Sequence, residues 1–305
     1  MEIYLPIAEM SVHWLAILAM GAGVGFLSGM FGVGGGFLLT PLLIFYGIPS
    51  SVAVATTASH LTASSASGAI VQLRRRTIDL KLGAVMVAGG LCGTWLGVWI
   101  FALLRKIGQA ELAVSLGYVV LLGVIGALML NESVASLRAA NSGKVPVAAR
   151  NQSRNWIHAL PLKMRFRVSR LYISAIPPFV IGVFVGILSA VMGVGGGFVV
   201  VPAMIYLLRV PTNIVMGTSM MQILFVTAFT TILQATNNYT VDIVLAFILV
   251  VGGAVGAQAG VMMAARMRGE HLRLFLGLLV LAVALRLLWG LIVTPGDVFS
   301  VMAGA

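Results

Sequence analysis

The sequence predicts an all-α integral membrane protein: two inverted-topology repeats of about five helical segments each, with glycine-broken, short helices near the midplane. Three observations predict it: a composition too apolar for water, a long motif that occurs twice, and an uneven placement of cations. Of 305 residues, 60% are hydrophobic and 9% charged, where a soluble domain carries about a quarter charged residues. Apolar stretches of roughly twenty residues, each long enough to cross a bilayer, recur along most of the chain. The net charge of +11 does not point to nucleic acid, because the cations sit between the apolar segments and not on a helix face interleaved with aromatics. Lys and Arg in that position fix the orientation of membrane spans. Cys92 is the only cysteine, so neither an intramolecular disulfide nor a cysteine metal cluster is expected.

The repeated motif is Gly25-Phe-Leu-Ser-Gly-Met-Phe-Gly-Val-Gly-Gly-Gly-Phe-Leu-Leu-Thr-Pro41, answered by Gly186-Ile-Leu-Ser-Ala-Val-Met-Gly-Val-Gly-Gly-Gly-Phe-Val-Val-Val-Pro202. The correspondence continues through Pro49 and Pro211, Thr56-Thr57 and Thr218-Ser219, and Asp79 and Asp242. It then pairs Gly90, Gly93 and Gly97 with Gly253, Gly256 and Gly260. Internal repetition at this scale defines three regions: a first membrane repeat over 1–130, a basic cytoplasmic linker over 131–170, and a second membrane repeat over 171–305.

Polar and Pro/Gly punctuation divides the first half into segments 12–31, 34–47, 50–73, 79–104 and 109–130. The second half gives 171–192, 195–208, 212–235, 241–265 and 270–293. The opening stretch Met1–His13 lacks the basic region of a secretory signal and carries Glu2 and Glu9, so it is read as retained. The segment behind each glycine cluster is short, about 20 Å as a helix, and suits a half-helix. Arg74, Arg75 and Arg76 and the linker cations, among them Arg138, Lys144 and Lys163, place the end of the third segment and the linker in the cytoplasm. The matching place in the second half, Thr236-Asn237-Asn238-Tyr239, has no cation and lies outside; Arg266, Arg268 and Arg273 return inside. The halves are therefore inverted and both termini external, with Arg105 and Lys106 outside as an exception to the rule.

The chemistry is expected at the glycine clusters. Backbone that leaves the helix within hydrocarbon must be buried in protein or line a water-filled cavity, and breaks at matching places in two repeats point to a transporter's substrate site. Gly34, Gly35 and Gly36, with Gly195, Gly196 and Gly197, let a ligand approach the main chain, and the following helix starts at Phe37 and Phe198 offer partial positive charge to an anion. Neither cluster is followed by Lys-Ser/Thr, which sets aside a nucleotide phosphate loop; packing through small residues is the competing role. The third segments add Thr56, Thr57, Ser59 and His60 from one half and Thr218, Ser219 and Gln222 from the other, small donors for oxyanion oxygens. Hydroxyls in membrane helices also bond back to their own carbonyls. His60 suits proton carriage, contact with the anion or a neutral hydrogen bond, the last also open to its counterpart Gln222. Arg286 serves an outward vestibule or reaches for headgroups. Asp79 and Asp242 read as helix caps. No cofactor or metal site, and no nucleophile with a base, is expected, so an enzyme is not predicted.

At the doubled Gly-Val-Gly-Gly-Gly-Phe with Pro41 and Pro202 behind it, the chain resembles the sulfite exporter TauE/SafE family of membrane transporters. Pro161-Leu-Lys-Met-Arg-Phe-Arg-Val-Ser-Arg170, Gly217-Thr218-Ser219 and Thr240-Val-Asp242 resemble a bacterial subgroup of it. The resemblance implies a multi-pass secondary transporter of the bacterial inner membrane for sulfite, sulfonates or related organosulfur anions, and places the glycine clusters and hydroxyl-bearing segments on the substrate path. Its expected partners are a small anion, the lipid bilayer and a coupling proton or sodium ion. An anion channel and a non-transport membrane assembly subunit are the alternatives.

Overall fold

The computed structural model describes residues 2–31, 34–141, 161–166, 168–169, 171–264 and 269–293. Gly32 and Val33, linker residues 142–160, and Arg266 and Arg268 lie outside the described residues. Each half has the same element order. The first begins with a hairpin, β1 (Glu2–Leu5) and β2 (Met10–His13), followed by α1 (Trp14–Phe31), α2 (Gly36–Phe45), α3 (Ser50–Arg74), α4 (Leu80–Lys106) and α5 (Ala110–Asn141). The second begins with β3 (Lys163–Phe166) and β4 (Leu171–Ser174), followed by α6 (Ile176–Met192), α7 (Gly197–Tyr206), α8 (Thr212–Leu233), α9 (Ile243–Ala264) and α10 (Gly269–Ile292). Both hairpins are antiparallel, pairing Glu2 with His13 and Lys163 with Ser174 at their open ends.

The hairpins and the length of α5 differ from the expectation. Four-residue strands are too short to declare an alternation; β3 occupies the end of the stretch read as a polar linker and β4 the start of the apolar segment expected from 171, while helix continues from the expected end at 130 through Asn141. The helices themselves fall where Pro, Gly and capping residues place them. Pro49 and Pro211 precede α3 and α8 with extended backbone, as the ring's lost amide favours at a helix start.

Among the described residues, five helices are long and apolar enough to cross a membrane: 80–106, 110–131, 214–238, 243–260 and 275–292. Helix α3 has 25 residues, ample for a span, but its Ser, Thr and His content keeps it out of that set. Its polar face is instead turned inward: Thr56, Thr57, His60 and Ser65 are all buried. A helix of this kind is tolerated in lipid only when protein surrounds its polar side.

The short helices α2 and α7 have 10 residues each, about 15 Å at 1.5 Å per residue, and cannot cross a bilayer. They turn back instead. The His13 amide donates to the Tyr46 hydroxyl at 3.3 Å, so α1 begins where α2 ends, and Leu5, Val12, Leu43 and Ile48 share one apolar cluster. In the second half Phe166 and Ile173 of the hairpin cluster with Met204, Leu208 and Val210 at the end of α7. Each helix pair is thus a hairpin whose glycine turn is its inner tip.

The two halves are interleaved, with α1 packed on α9 and α4 on α6 as the most extensive helix seams. A Cβ built on Gly25 would fall 2.3 Å from the Gly253 carbonyl, and one on Gly186 2.2 Å from that of Gly90. Small residues four apart let the backbones approach this closely. Along α1–α9, Gly21, Gly25 and Gly29 meet Leu249, Gly253 and Ala257 in ascending order, so these helices run parallel. The equivalent helices α3 and α8 run antiparallel: Ser59 meets Thr231, Thr62 meets Thr227, and Gly68 meets Met220.

Reciprocal hydrogen bonds join the halves. The Asp79 amide donates to Thr218 Oγ1 at 3.1 Å and the Asp242 amide to Thr56 Oγ1 at 3.3 Å. Asp79 caps α4, accepting from the amides of Lys81 and Leu82, and Asp242 accepts from Leu245. The other oxygen of each carboxylate holds a hairpin turn of the opposite half: Ser169 amide and hydroxyl on Asp79, the Ile7 amide on Asp242. The capping read from sequence is observed, with this second duty added.

Candidate functional site

The two glycine breaks meet inside the protein. A Cβ on Gly36 would fall 2.8 and 2.9 Å from the carbonyl oxygens of Val194 and Gly193, so only glycine permits the approach. Directly behind the breaks, the rings of Phe37 and Phe198 stack with centroids 4.5 Å apart and planes 14° off parallel. The helical bonding of α2 starts with the amides of Leu38 and Leu39 on the Gly35 carbonyl, and that of α7 with Val199 and Val200 on Gly196. The amides one and two residues earlier therefore precede both ladders, at the positive pole of each helix. The two helix starts thus come together at the stacked rings.

Carbonyls left at the end of α6 need donors, and two side chains supply them. Tyr118 of α5 donates to the Met192 carbonyl at 2.7 Å, and Gln234 Nε2 donates to that of Ala190 at 3.0 Å. Both donors are fully buried. The break is thus supported from a helix outside the repeat motif, which sequence comparison of the halves does not reveal.

Helix α3 lies across the junction. A Cβ built on Gly193 would fall 2.6 Å from the Val54 carbonyl oxygen, and ones on Gly34, Gly36 and Gly195 would meet the methyl groups of Leu61. Thr57 is on the same stripe, between Val54 and Leu61 at helical spacing. Its hydroxyl is buried without a hydrogen-bond partner. His60 Nδ1 and both amide atoms of Gln222 are likewise buried and unpartnered. The His60 ring fits against α9, where a Cβ on Gly253 would lie 2.1 Å from Cε1.

The remaining expected site residues are placed otherwise. Thr56 and Thr218 serve the reciprocal bonds between halves. Ser219 bonds back to the Met216 carbonyl at 3.1 Å, so it does not mirror Thr57. Ser59 joins Thr231 at 3.5 Å in a hydroxyl ladder between α3 and α8 that continues with Thr62 and Thr227, 2.9 Å apart. Thr62, Thr227 and Thr231 were not among the expected residues; their spacing along the two third segments was the available signal. Gly35 and Gly196 are the N-cap positions of α2 and α7. Gly34, Gly195 and Gly196 have φ of 80°, 69° and 76°; of these, Gly196 also faces Val185 so closely that a Cβ would lie 2.0 Å from Cγ1. Arg286 has its guanidinium 5.2 Å from the ring centre of Phe45, which ties it to the end of α2.

Comparison with known proteins agrees with this architecture. The family model described as sulfite exporter TauE/SafE matches residues 17–287. A probable membrane transporter protein of Xylella fastidiosa (strain 9a5c) is 29% identical over 280 residues, covering 90% of this chain and 95% of its own. The probable membrane transporter protein YjnA of Bacillus subtilis is 28% identical, covering 90% and 99%. The sulfite exporter TauE/SafE family protein 3 of Arabidopsis thaliana is 27% identical over 121 residues, 35% of this chain and 25% of its own. No solved structure matches the chain. With ten helices among the described residues in two matching sets, broken at the doubled glycine motif that the family model spans, the chain belongs to the sulfite exporter TauE/SafE family of multi-pass membrane transporters.

Proposed function

We propose that the protein is a secondary carrier of a small sulfur oxyanion, sulfite or an organosulfonate, in the bacterial inner membrane. The observation that carries this reading is the meeting of two helix starts at the glycine breaks, under helix α3, whose Thr57 hydroxyl is buried without a partner. Leaving a buried donor unbonded costs about 1–3 kcal/mol. An anion bonded to Thr57 and to the amides that precede the two helical ladders would remove that cost and benefit from both helix poles. His60 is a neutral hydrogen-bonding partner in this reading, and no coupling ion is assigned to it.

The antiparallel course of α3 and α8, set across a bilayer with Arg74–Arg76 inside, supports opposite orientation of the halves. Each half then makes three crossings and one re-entrant hairpin, an odd count like the five segments first expected, so inversion follows either way. Alternating access would expose the junction first to one side and then to the other. In the conformation described, Leu61 closes the space between the breaks.

Purified protein in proteoliposomes should take up sulfite with saturation and exchange labelled for unlabelled anion; flux that rises linearly without exchange would identify a channel. Thr57→Val should keep or raise stability, since it removes a buried hydroxyl that has no partner, yet raise the half-saturating anion concentration about tenfold, as loss of one hydrogen bond to a charged group implies. A Thr57→Val protein that is destabilised but transports normally would refute the site.

Leu61→Ala should test the closure separately. Removing the side chain between Gly36 and Gly195 is expected to raise anion flux and admit longer sulfonates, at a stability cost of about 2–5 kcal/mol. Unchanged selectivity in folded Leu61→Ala would mean that Leu61 only packs.

A further inference from the structure

A cavity of about 610 Å³ lies away from the glycine junction, between the last turns of α4 and the turn that follows α8. It is lined by Trp95, Trp99, Arg105, Lys106, Leu233 and Asn237, with Val98, Ala102 and Asn238 behind them. After Leu233 the chain continues as a single π-helical turn, Gln234–Asn238, and such turns leave backbone groups without their usual α-helical partners. Arg105 Nη1 donates to the Asn238 carbonyl at 2.8 Å, and Asn238 Nδ2 donates to Gln234 Oε1. The wall of the cavity is therefore fixed by a chain of bonds that reaches from Ala190 through Gln234 to Arg105.

The charge is one-sided. Among the described residues no carboxylate lines the cavity, and neither Arg105 nor Lys106 is in an ion pair. One guanidinium nitrogen is spent on Asn238, which leaves further donors of the fork, together with the Lys106 ammonium and the Asn237 amide. The other wall is apolar and open: Trp95 and Trp99, one turn apart on α4, are 62% and 64% exposed. At 1.5 Å per residue Trp99 and Trp95 stand about 10 and 16 Å from the Lys106 end of α4, the depth of an acyl chain below its headgroup.

We propose that this cavity is a binding site for one anionic phospholipid, its phosphate held by Arg105, Lys106 and Asn237 and its acyl chain laid along Trp95 and Trp99. A small hydrophilic anion accounts for the cations but not for the indole wall; a zwitterionic lipid accounts for the indoles but brings its own cation beside two others. The site also gives a physical reason for two cations at the end of the molecule opposite Arg74–Arg76, where the positive-inside rule does not put them. One anchors a carbonyl of the opposite half, and both meet a phosphate.

Native mass spectrometry and tryptophan quenching test this on the full chain. Protein reconstituted in phosphatidylcholine is titrated with brominated phosphatidylglycerol or, in a parallel arm, brominated phosphatidylcholine, using a variant with Trp14, Trp156 and Trp289 changed to Phe. Brominated phosphatidylglycerol should quench preferentially, and one phosphatidylglycerol should persist on the protein in the gas phase. Lys106→Gln, whose side chain makes no hydrogen bond among the described residues, should lower the preference about fivefold, the contribution of one cation near a lipid phosphate. Soluble glycerol phosphate should not displace the lipid; displacement would assign the site to a free anion and overturn the proposal. Equal quenching by the two lipids, or a preference untouched in both Lys106→Gln and Asn237→Leu, would also overturn it. Wild-type mass spectra keep the test decisive if the triple tryptophan variant fails to fold.

Discussion

Gly256→Val and Gly93→Val should each abolish the folded protein. A Cβ at Gly256 would lie 1.9 Å from the Ala22 carbonyl and one at Gly93 2.0 Å from that of Val183. Both neighbours are helix backbone and cannot rotate away. Forcing α1 from α9, or α4 from α6, would undo contacts along a whole seam, so the cost should exceed the roughly 3 kcal/mol of ordinary overpacking. Size-exclusion chromatography in detergent should show aggregate in place of a symmetric peak. Gly23→Ala, with nothing within 4 Å of its Cβ position, should elute and melt like the parent. If Gly256→Val also did so, the parallel seam would not exist as described.

The second large effect concerns the two carboxylates. Asp79→Ala removes the acceptor for the amides of Lys81 and Leu82 and for the amide and hydroxyl of Ser169. Asp242→Ala removes that for the amides of Leu245 and Ile7 alone. At about 1.5–3 kcal/mol for hydrogen bonds to a charged group, Asp79→Ala should be the more damaging, by several degrees in Tm. Asp79→Asn keeps one carbonyl oxygen for the cap but turns an amide donor toward Ser169, so it should preserve α4 and loosen β3–β4. Limited proteolysis within 163–174 reports this directly. Equal melting of the two alanine variants would show that the Ser169 contacts contribute nothing.

These effects follow from features partly visible in the linear sequence. Gly90, Gly93 and Gly97 and their counterparts Gly253, Gly256 and Gly260 announce a close-packed stripe, because residues at such spacings share a helix face. The stripe does not name its partner. That Gly253 meets both Gly25 and His60 depends on how helices distant in sequence are assembled, and one sequence carries no signal for it. The caps at Asp79 and Asp242 were legible because an N-cap is a local event. Their bonds to Ser169 and Ile7 were not, since hairpins of four-residue strands leave little pattern.

The candidate site divides in the same way. The glycine breaks were legible from their repetition, and their meeting is what the repetition implied. Which hydroxyls are unsatisfied was not legible. Thr57 and Ser219 occupy matching positions, but Ser219 bonds to Met216 and Thr57 to nothing, a difference set by rotamer and neighbours. Leu61 escaped notice because a leucine in an apolar segment is unremarkable until it is found against both breaks.

The pairing of α1 with α9 and of α4 with α6 bears on what can move as a unit. Neither stretch of chain on its own is a mechanical body, for each lends its first helix to the other's fourth. A pivot of the kind proposed above would therefore fall between mixed assemblies drawn from both ends of the polypeptide.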